Sequence, residues 1–288
     1  MKTIIEDKEN FILTQPVSQK LQRKILNLRH NFDIRVLALG DSSVFGVGDT
    51  AVDGKADGPG WAGRIKHDLD SKNYLNLGKN GARAATVANE QVLAADYFEP
   101  DLTLICVGTN DVVRGNFSPK QIGQSLVKII DYLNERGSVV VLLGLPDSTQ
   151  IAFAPKRFKR VLRERISVLN DLLSDAALQR DAVYISGKNY KTLLQRDMWH
   201  VDRMHPSSRG YQAIATWVRE ALGLPLRASQ SLETKTERTR KDEMNWLLVN
   251  GSKWFFKRCF DFFPVMLYLM IFGLRKLEKE SIKGWQIL

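Results

Sequence analysis

Ser42, Asn110, Asp202 and His205 are the residues of this 288-residue chain from which chemistry is most readily built. Ser42 follows Gly40-Asp41 at the end of the apolar run 34–39, and Asn110 follows Gly108-Thr109 after the apolar run 101–107. A third run, 73–77, leads into Gly78-Lys79-Asn80-Gly81, and Asp202-Arg203-Met204-His205-Pro206 lies well downstream. A serine hydroxyl is a weak nucleophile at neutral pH unless an imidazole takes its proton during attack. That imidazole works best when a carboxylate accepts its other ring N–H, and amide donors from two further strand ends would complete the needs of acyl transfer. Taken singly these residues are ordinary, since Gly-Asp-Ser after a strand is commonly a turn with a helix cap and Asn110 commonly a capping residue. A lone histidine before a proline is likewise commonly a loop residue. The set carries the reading.

Positioning such a set requires a scaffold that brings distant strand ends together. Short β-branched apolar runs at 34–39, 73–77, 101–107, 138–145 and 182–186 have the continuous character of strands buried on both faces. Stretches with helical period lie between or after them, at about 60–71, 84–97, 118–136, 156–179 and 206–222. In the fourth of these, Phe158, Val161, Leu162, Leu169, Leu172 and Leu173 line one stripe, while Lys156, Lys159, Arg160 and Arg163 fall largely elsewhere. Strands alternating with helices imply right-handed crossovers, a parallel sheet and a three-layer α/β domain over 34–224. Ligands of such sheets bind outside the carboxyl ends of the strands, where the residues above fall.

In those same residues the chain resembles the SGNH/GDSL hydrolase family, whose four blocks are matched by GDSSVFGVGD, NLGKNGA, VGTND and DRMHP, in order, across roughly 34–222. Ser43 departs from the pattern, standing where the family name places a leucine. The resemblance implies a flavodoxin-like fold with a five-stranded parallel sheet. It also implies a serine esterase or lipase of lysophospholipase-like type, with Ser42 as nucleophile, His205 as base and Asp202 as orienting acid. The oxyanion would be held by the backbone N–H groups of Ser42 and Gly81 and by the Asn110 side chain. Asp197-Met198-Trp199-His200 spells the same D-x-x-H five residues upstream, and spacing alone does not separate the two. The Pro206-Ser207-Ser208-Arg209-Gly210-Tyr211 that follows His205 favours the second, and the family register favours Ser42 over Ser43. Asp41 and Asp111 read as structural residues bonding backbone around the site loops, and Trp61 as a core anchor, with acyl-pocket lining as its alternative.

The remaining features bound the partners. The formal charge is +10, and it is unevenly spread: about +2 over the N-terminal extension 1–33, about +3 over 34–224, about +1 over the polar linker 225–243 and about +4 over the aromatic, basic tail 244–288. The run 156–165 lacks a nucleic-acid motif or aromatic platform, so a solvated helix face is expected and no nucleic-acid partner. Four histidines and two cysteines show no ligand spacing, so neither metal nor other cofactor is expected. Cys106 and Cys259 lie far apart, and acidic residues interrupt the first ten, so a reducing compartment and no signal peptide are expected. In the tail, 262–274 is uncharged yet spans only about 20 Å as a helix, against a hydrocarbon core of about 30 Å. Its basic flanks, Lys257, Arg258, Arg275 and Lys276, and its aromatic residues describe an interfacial or re-entrant anchor on the inner face of a membrane; packing on the domain, a dimer contact, or a span that recruits Trp254–Cys259 are the alternatives. A membrane-held site would meet lipid-like esters. Small-ester, thioester or carbohydrate O-acetyl esters are the alternative substrates, and an inactive membrane-held binding module is the alternative of another class.

Overall fold

The computed structural model describes residues 17–49, 58–150, 154–187 and 195–228, together with Leu193, Leu232, Pro264, Leu267, Tyr268 and Ile271. The elements run α1 (Gln19–His30), β1 (Arg35–Gly40), α2 (Ser42–Phe45), α3 (Gly60–Asp68), β2 (Asn73–Asn76), α4 (Ala84–Asn89), α5 (Ala95–Phe98), β3 (Leu102–Cys106), α6 (Thr109–Val113), α7 (Pro119–Glu135), β4 (Val139–Leu143), α8 (Lys156–Gln179), β5 (Val183–Ile185) and α9 (Ser208–Ala221). The five strands form one parallel sheet in the order β2-β1-β3-β4-β5. Every residue of β3 and β4 is buried, which is why these strands read as unbroken apolar runs. The helices α3 and α9 pack on each other, as do α7 and its neighbours α4 and α8, giving the three-layer α/β/α arrangement expected from the sequence. Because β2 lies on one side of β1 and β3 on the other, the chain reverses direction across the sheet at the β1/β3 pair, and the loops leaving these strands diverge. The register places Gly40 opposite Cys106, so the turns carrying Ser42 and Asn110 begin side by side.

Three differences from the sequence expectations have physical causes. The helix expected over 84–97 is broken into α4, a 3-10 turn over Gln91–Ala94 and α5. The break turns the Gln91 amide inward, where its Oε1 accepts from the Gly40 N–H at 2.7 Å and its Nε2 donates to the Gly40 carbonyl at 3.0 Å. Within the extension 1–33, α1 buries Leu21, Ile25 and Leu28 against the core, while Ser18 caps it. Arg29 donates to the Leu222 carbonyl at 3.0 Å, and Arg227, from the start of the expected linker, donates to the carbonyls of Asn31 and Arg29 at 2.5 and 2.8 Å. The basic run 156–165 is solvated at Lys156, Arg157, Arg160 and Arg163, but its last member, Arg165, is buried and donates to the carbonyls of Val112 and Arg114. Residues 1–16, most of 225–243 and, apart from four residues, the tail 244–288 with Cys259 lie outside the described residues.

A fully buried ion pair ties the loop after α2 to α3 and α9. Asp49 Oδ1 accepts from Arg64 Nη2 at 2.9 Å and from Ser208 Oγ at 2.6 Å; Oδ2 accepts from Arg64 Nε at 3.1 Å and from the Gly60 N–H at 3.0 Å. Neither side chain has solvent-exposed area. Asp49→Ala would strand the guanidinium in the core, a loss typically of about 3–5 kcal/mol. The expected result is a large drop in thermal midpoint by calorimetry, with Asp49→Asn falling between the two.

Candidate active site

The nucleophile turn is built from the end of β1. At Gly40 (φ +148°) a Cβ would lie 2.0 Å from the Cys106 carbonyl oxygen, so only glycine lets the two strands stay in register as the chain turns. Asp41 caps α2, its Oδ1 accepting from the Ser43 N–H at 2.9 Å and from Ser43 Oγ at 2.8 Å, which occupies the neighbouring hydroxyl and leaves Ser42 the one turned to the imidazole. Burial pushes the Asp41 carboxyl above its ordinary range, although bonds from Ser43 oppose the shift. Behind it, burial and the nearby Asp41 charge push the Cys106 thiol far up, so this cysteine is an inert core group.

The second and third strand ends are laced together. Asn76 donates to the Val44 carbonyl at 2.9 Å and accepts from the Gly78 N–H at 2.9 Å, and the Lys79 N–H donates to the Gly40 carbonyl at 3.1 Å. Gly81 holds φ +83°, a conformation open to glycine, and a Cβ there would meet no heavy atom within 4 Å. The positive φ, not a lack of room, is what demands glycine. Asn110 Nδ2 donates to the Ala82 carbonyl at 3.0 Å, which commits one amide hydrogen to orientation and leaves the other for a ligand. Asp111, buried, accepts from Arg83 Nε and from the Ala84 N–H, each at 3.0 Å, so it caps α4 and binds the Gly81 loop to the Asn110 loop. Asp41 and Asp111 thus bond backbone around the two loops, as expected, and Trp61 is wholly buried in α3.

The last segment closes on itself. Trp199 pairs with Pro206, the His200 N–H donates to the His205 carbonyl at 2.9 Å, and Arg203 takes φ +52° at the tip. His205 Nε2 lies 2.8 Å from Ser42 Oγ, and its Nδ1 lies 2.8 Å from Asp202 Oδ2. Asp202 Oδ1 accepts from the N–H groups of Met204 and His205 at 2.9 and 3.1 Å. Desolvation works against ionisation of Asp202, but hydrogen bonds from His200 and His205 outweigh it and hold the carboxyl far below its usual range. With Asp202 accepting the Nδ1–H, His205 Nε2 carries the lone pair toward the serine hydroxyl. The structure therefore brings Ser42, His205 and Asp202 into one hydrogen-bonded chain, with Gly81 and Asn110 on the adjoining loops. It separates the two D-x-x-H pairs: Asp197 accepts instead from Arg209, at 2.6 Å. His200, read from the sequence only as a competitor of His205, is no bystander: its Nδ1 lies 3.3 Å from Asp202 Oδ2. Among the described residues, no three His, Cys, Asp or Glu side chains converge closely enough to hold a metal ion.

Residues 38–213, which contain the whole of this arrangement, match the model of the GDSL-like lipase/acylhydrolase family. The chain belongs to that family. Membership places its α/β domain among hydrolases acting on ester bonds, and Ser43 stands at the leucine of the GDSL signature. A multidomain esterase of Ruminococcus flavefaciens is 22% identical over a 239-residue alignment, which takes in 68% of this chain and 29% of that protein, so the chain spans under a third of that relative. The fold is similar to that of a GDSL-like lipase from Parabacteroides merdae (17% identity, 66% of this chain and 96% of that one, TM-score 0.54). It is also similar to an acetylxylan esterase from Geobacillus stearothermophilus (17% identity, 68% and 97%, TM-score 0.53) and to the esterase EstA from Pseudoalteromonas (16%, 66% and 97%, TM-score 0.51).

The depressed Asp202 carboxyl has a consequence for GDSL domain stability. A carboxyl that ionises more readily folded than unfolded contributes stability that is complete above the unfolded value of about 4 and is lost as pH falls below it. The stability gap between wild type and Asp202→Asn is therefore expected to be widest near neutrality and to narrow steadily below about pH 4, as measured by urea unfolding across pH.

Proposed function

We propose that the domain is an ester hydrolase working through an acyl-enzyme on Ser42. The observation that carries this reading is the unbroken chain from Ser42 Oγ to His205 Nε2 and from His205 Nδ1 to Asp202 Oδ2, with both contacts at 2.8 Å. As Ser42 Oγ attacks the carbonyl carbon of the ester, its proton passes to His205 Nε2, and Asp202 stabilises the imidazolium through Nδ1–H. The carbonyl oxygen, now negative, is taken by three donors: the Ser42 N–H at the open end of α2, the Gly81 N–H and the uncommitted amide hydrogen of Asn110. Each such donor is typically worth about 10²–10³ in rate. Collapse of the tetrahedral intermediate breaks the C–O bond to the leaving alcohol, which departs with the proton from His205. Water, deprotonated by the same imidazole, then attacks the acyl-enzyme, and the carboxylic acid leaves with Ser42 restored.

Fluorophosphonate labelling tests this directly. Wild type is expected to be labelled on Ser42, Ser42→Ala to be unlabelled, and Asp202→Asn to lose about 10⁴-fold in turnover by analogy with other serine triads. A folded wild type that resists the probe, or a Ser42→Ala variant labelled as strongly, would return the domain to the binding-module reading.

For substrate, we propose lipid-like acyl esters presented at a membrane surface. Pro264, Leu267, Tyr268 and Ile271 are helical, and their i, i+3, i+4, i+7 spacing sets them on one stripe. All four are exposed, and Tyr268 lies beside Gly115, just beyond the loop that carries Asn110. Among the described residues no helix is long and apolar enough to cross a membrane; the attachment is proposed as interfacial because the uncharged stretch 262–274 would reach only about 20 Å as a helix. In a flotation assay the full chain is expected to bind vesicles containing anionic lipid, and Leu267→Asp with Ile271→Asp to release it, while hydrolysis of a soluble acetyl ester stays unchanged. Equal flotation of the two chains, or a chain-length series that peaks at acetyl esters, would favour the small-ester reading.

A further inference from the structure

The loop that carries His205 holds a second histidine against the same carboxylate. His200 Nδ1 stands 3.3 Å from Asp202 Oδ2, the oxygen that His205 Nδ1 also engages at 2.8 Å, and the His200 and Asp202 side chains are 8% and 9% exposed. The Asp202 N–H lies 3.4 Å from that same His200 nitrogen. One ring nitrogen cannot accept from the amide and donate to the carboxylate at once. The carboxylate contact is shorter and charge-assisted, and an unprotonated Nδ1 would set its lone pair against an anionic oxygen. With the proton on Nδ1, His200 donates to Asp202; with it on Nε2, Nδ1 accepts from the Asp202 N–H instead, and the carboxylate contact favours the first arrangement. The His200 backbone is fixed, with its N–H on the His205 carbonyl and its carbonyl accepting from the Arg203 N–H at 2.9 Å. From the serine side, a Cβ placed on Gly48 would come within 3.1 Å of His200 Cβ and 3.2 Å of His205 Cβ, so the segment after α2 lies across both histidines.

We infer that His200 is a positioning residue for the proposed relay, a second donor that fixes the Asp202 carboxylate and sets how strongly that carboxylate holds the His205 imidazolium. The inference rests on the Ser42–His205–Asp202 reading. An oxygen shared between two N–H donors is a weaker acceptor for each, so His200 tempers the stabilisation that Asp202 gives to charged His205. Without it, His205 would be the only side chain donating to Oδ2 among those described, its imidazolium would be better stabilised, and its proton would be held to higher pH.

Other ionisable groups surround the pair. Asp41 lies behind Ser42, with its carboxyl raised by burial; Asp49 is bound to Arg64; and Tyr211, from α9, is buried with its phenol raised and donates to the Val47 carbonyl at 2.7 Å. They are common to every variant at position 200, so a change between variants reports on His200.

The test is the pH dependence of kcat/KM for a soluble ester, whose acid limb reports the base in the free enzyme. For His200→Ala the limb is expected to move up by about half to one pH unit, with activity recovering toward wild type at alkaline pH. His200→Asn, which returns an amide donor, is expected to bring the limb back toward wild type. A uniform loss with the limb unmoved, or a limb moved to lower pH, would overturn the inference, because a purely structural role lowers activity without shifting the limb. Nitrogen-15 imidazole shifts of the wild-type full chain give a measurement independent of whether the variants fold: His200 is expected with its proton on Nδ1, and an Nε2–H tautomer would equally overturn it. Labelling of Ser42 in wild type separates the two levels. If Ser42 is not labelled, the relay itself fails; if it is labelled and the limb does not move, only the role of His200 fails.

Discussion

The mouth of this domain hangs on a carboxylate that no solvent reaches. Asp49 sits at the end of the segment that begins with Ser42, and Ser208, which donates to it, stands three residues after His205. Two pieces of chain about 160 residues apart are thereby held to one buried point, with Arg64 neutralising the charge and the Gly60 N–H completing the shell. Such a pair adds little net stability, because desolvation offsets its attraction, but it is intolerant of the wrong geometry: moving either partner leaves a charge unpaired in the core. That intolerance is useful here. A hydrogen bond of 2.8 Å between Ser42 and His205 needs both loops placed to within a few tenths of an ångström, and apolar packing alone fixes position less sharply than a bidentate ion pair does.

The same logic recurs wherever a strand ends. A parallel strand that stops at the rim leaves backbone groups without partners, and here side-chain amides and carboxylates supply them: Gln91 spans both polar groups of Gly40, Asn170 does the same for Leu145 at 2.8 Å each way, and Asp111 caps α4. The carboxylates of the rim diverge in consequence. Asp41 keeps mostly short-range partners in deep burial and is pushed up, whereas Asp202 has donors enough from two rings and two backbone N–H groups to be held strongly ionised. Environment, not residue type, decides which of two aspartates could serve as a fixed negative charge opposite an imidazole.

How much of this the sequence displayed follows from the range of each interaction. Strands buried on both faces write themselves as apolar runs, which made β1, β3, β4 and β5 legible; β2, a half-buried edge strand, was read from a less apolar run, and the four blocks marked the turns where Ser42, Gly81, Asn110 and His205 stand. Gln91 was not legible, because a glutamine inside an amphipathic stretch gives no sign that it will break the helix to reach a strand end fifty residues away. Arg165 was hidden for the converse reason, standing last in a run of basic residues most of whose other members are solvated. His200 was seen but read as a competitor of His205. Both D-x-x-H pairs fit the spacing, and only the closed loop shows that His200, the histidine of the upstream pair, is turned onto Asp202, the carboxylate of the downstream one. In α1 the signal was present and went unread: Leu21, Ile25 and Leu28 stand at i, i+4 and i+7, but over a single short helix ahead of the first strand.

These observations also say where specificity has to come from. The proposed relay and its amide donors would act on the reacting carbonyl, which every ester presents, so they would distinguish ester from other bonds and little else. Discrimination between acyl chains or alcohols needs contacts farther out, and the rim offers two unlike kinds: the polar, closely bonded loops around Asp111 and Asp202, and the apolar stripe of Leu267, Tyr268 and Ile271 beyond Gly115. An acetyl group is too small to gain much from that stripe, at roughly 0.8 kcal/mol per buried methylene, whereas a chain of eight or more carbons could gain several kcal/mol. The uneven distribution of charge points the same way. The proposed membrane attachment draws on it: a tail of about +4 alternating with aromatic residues would suit an anionic, amphipathic surface, where long-chain esters are concentrated and acetylated sugars are not.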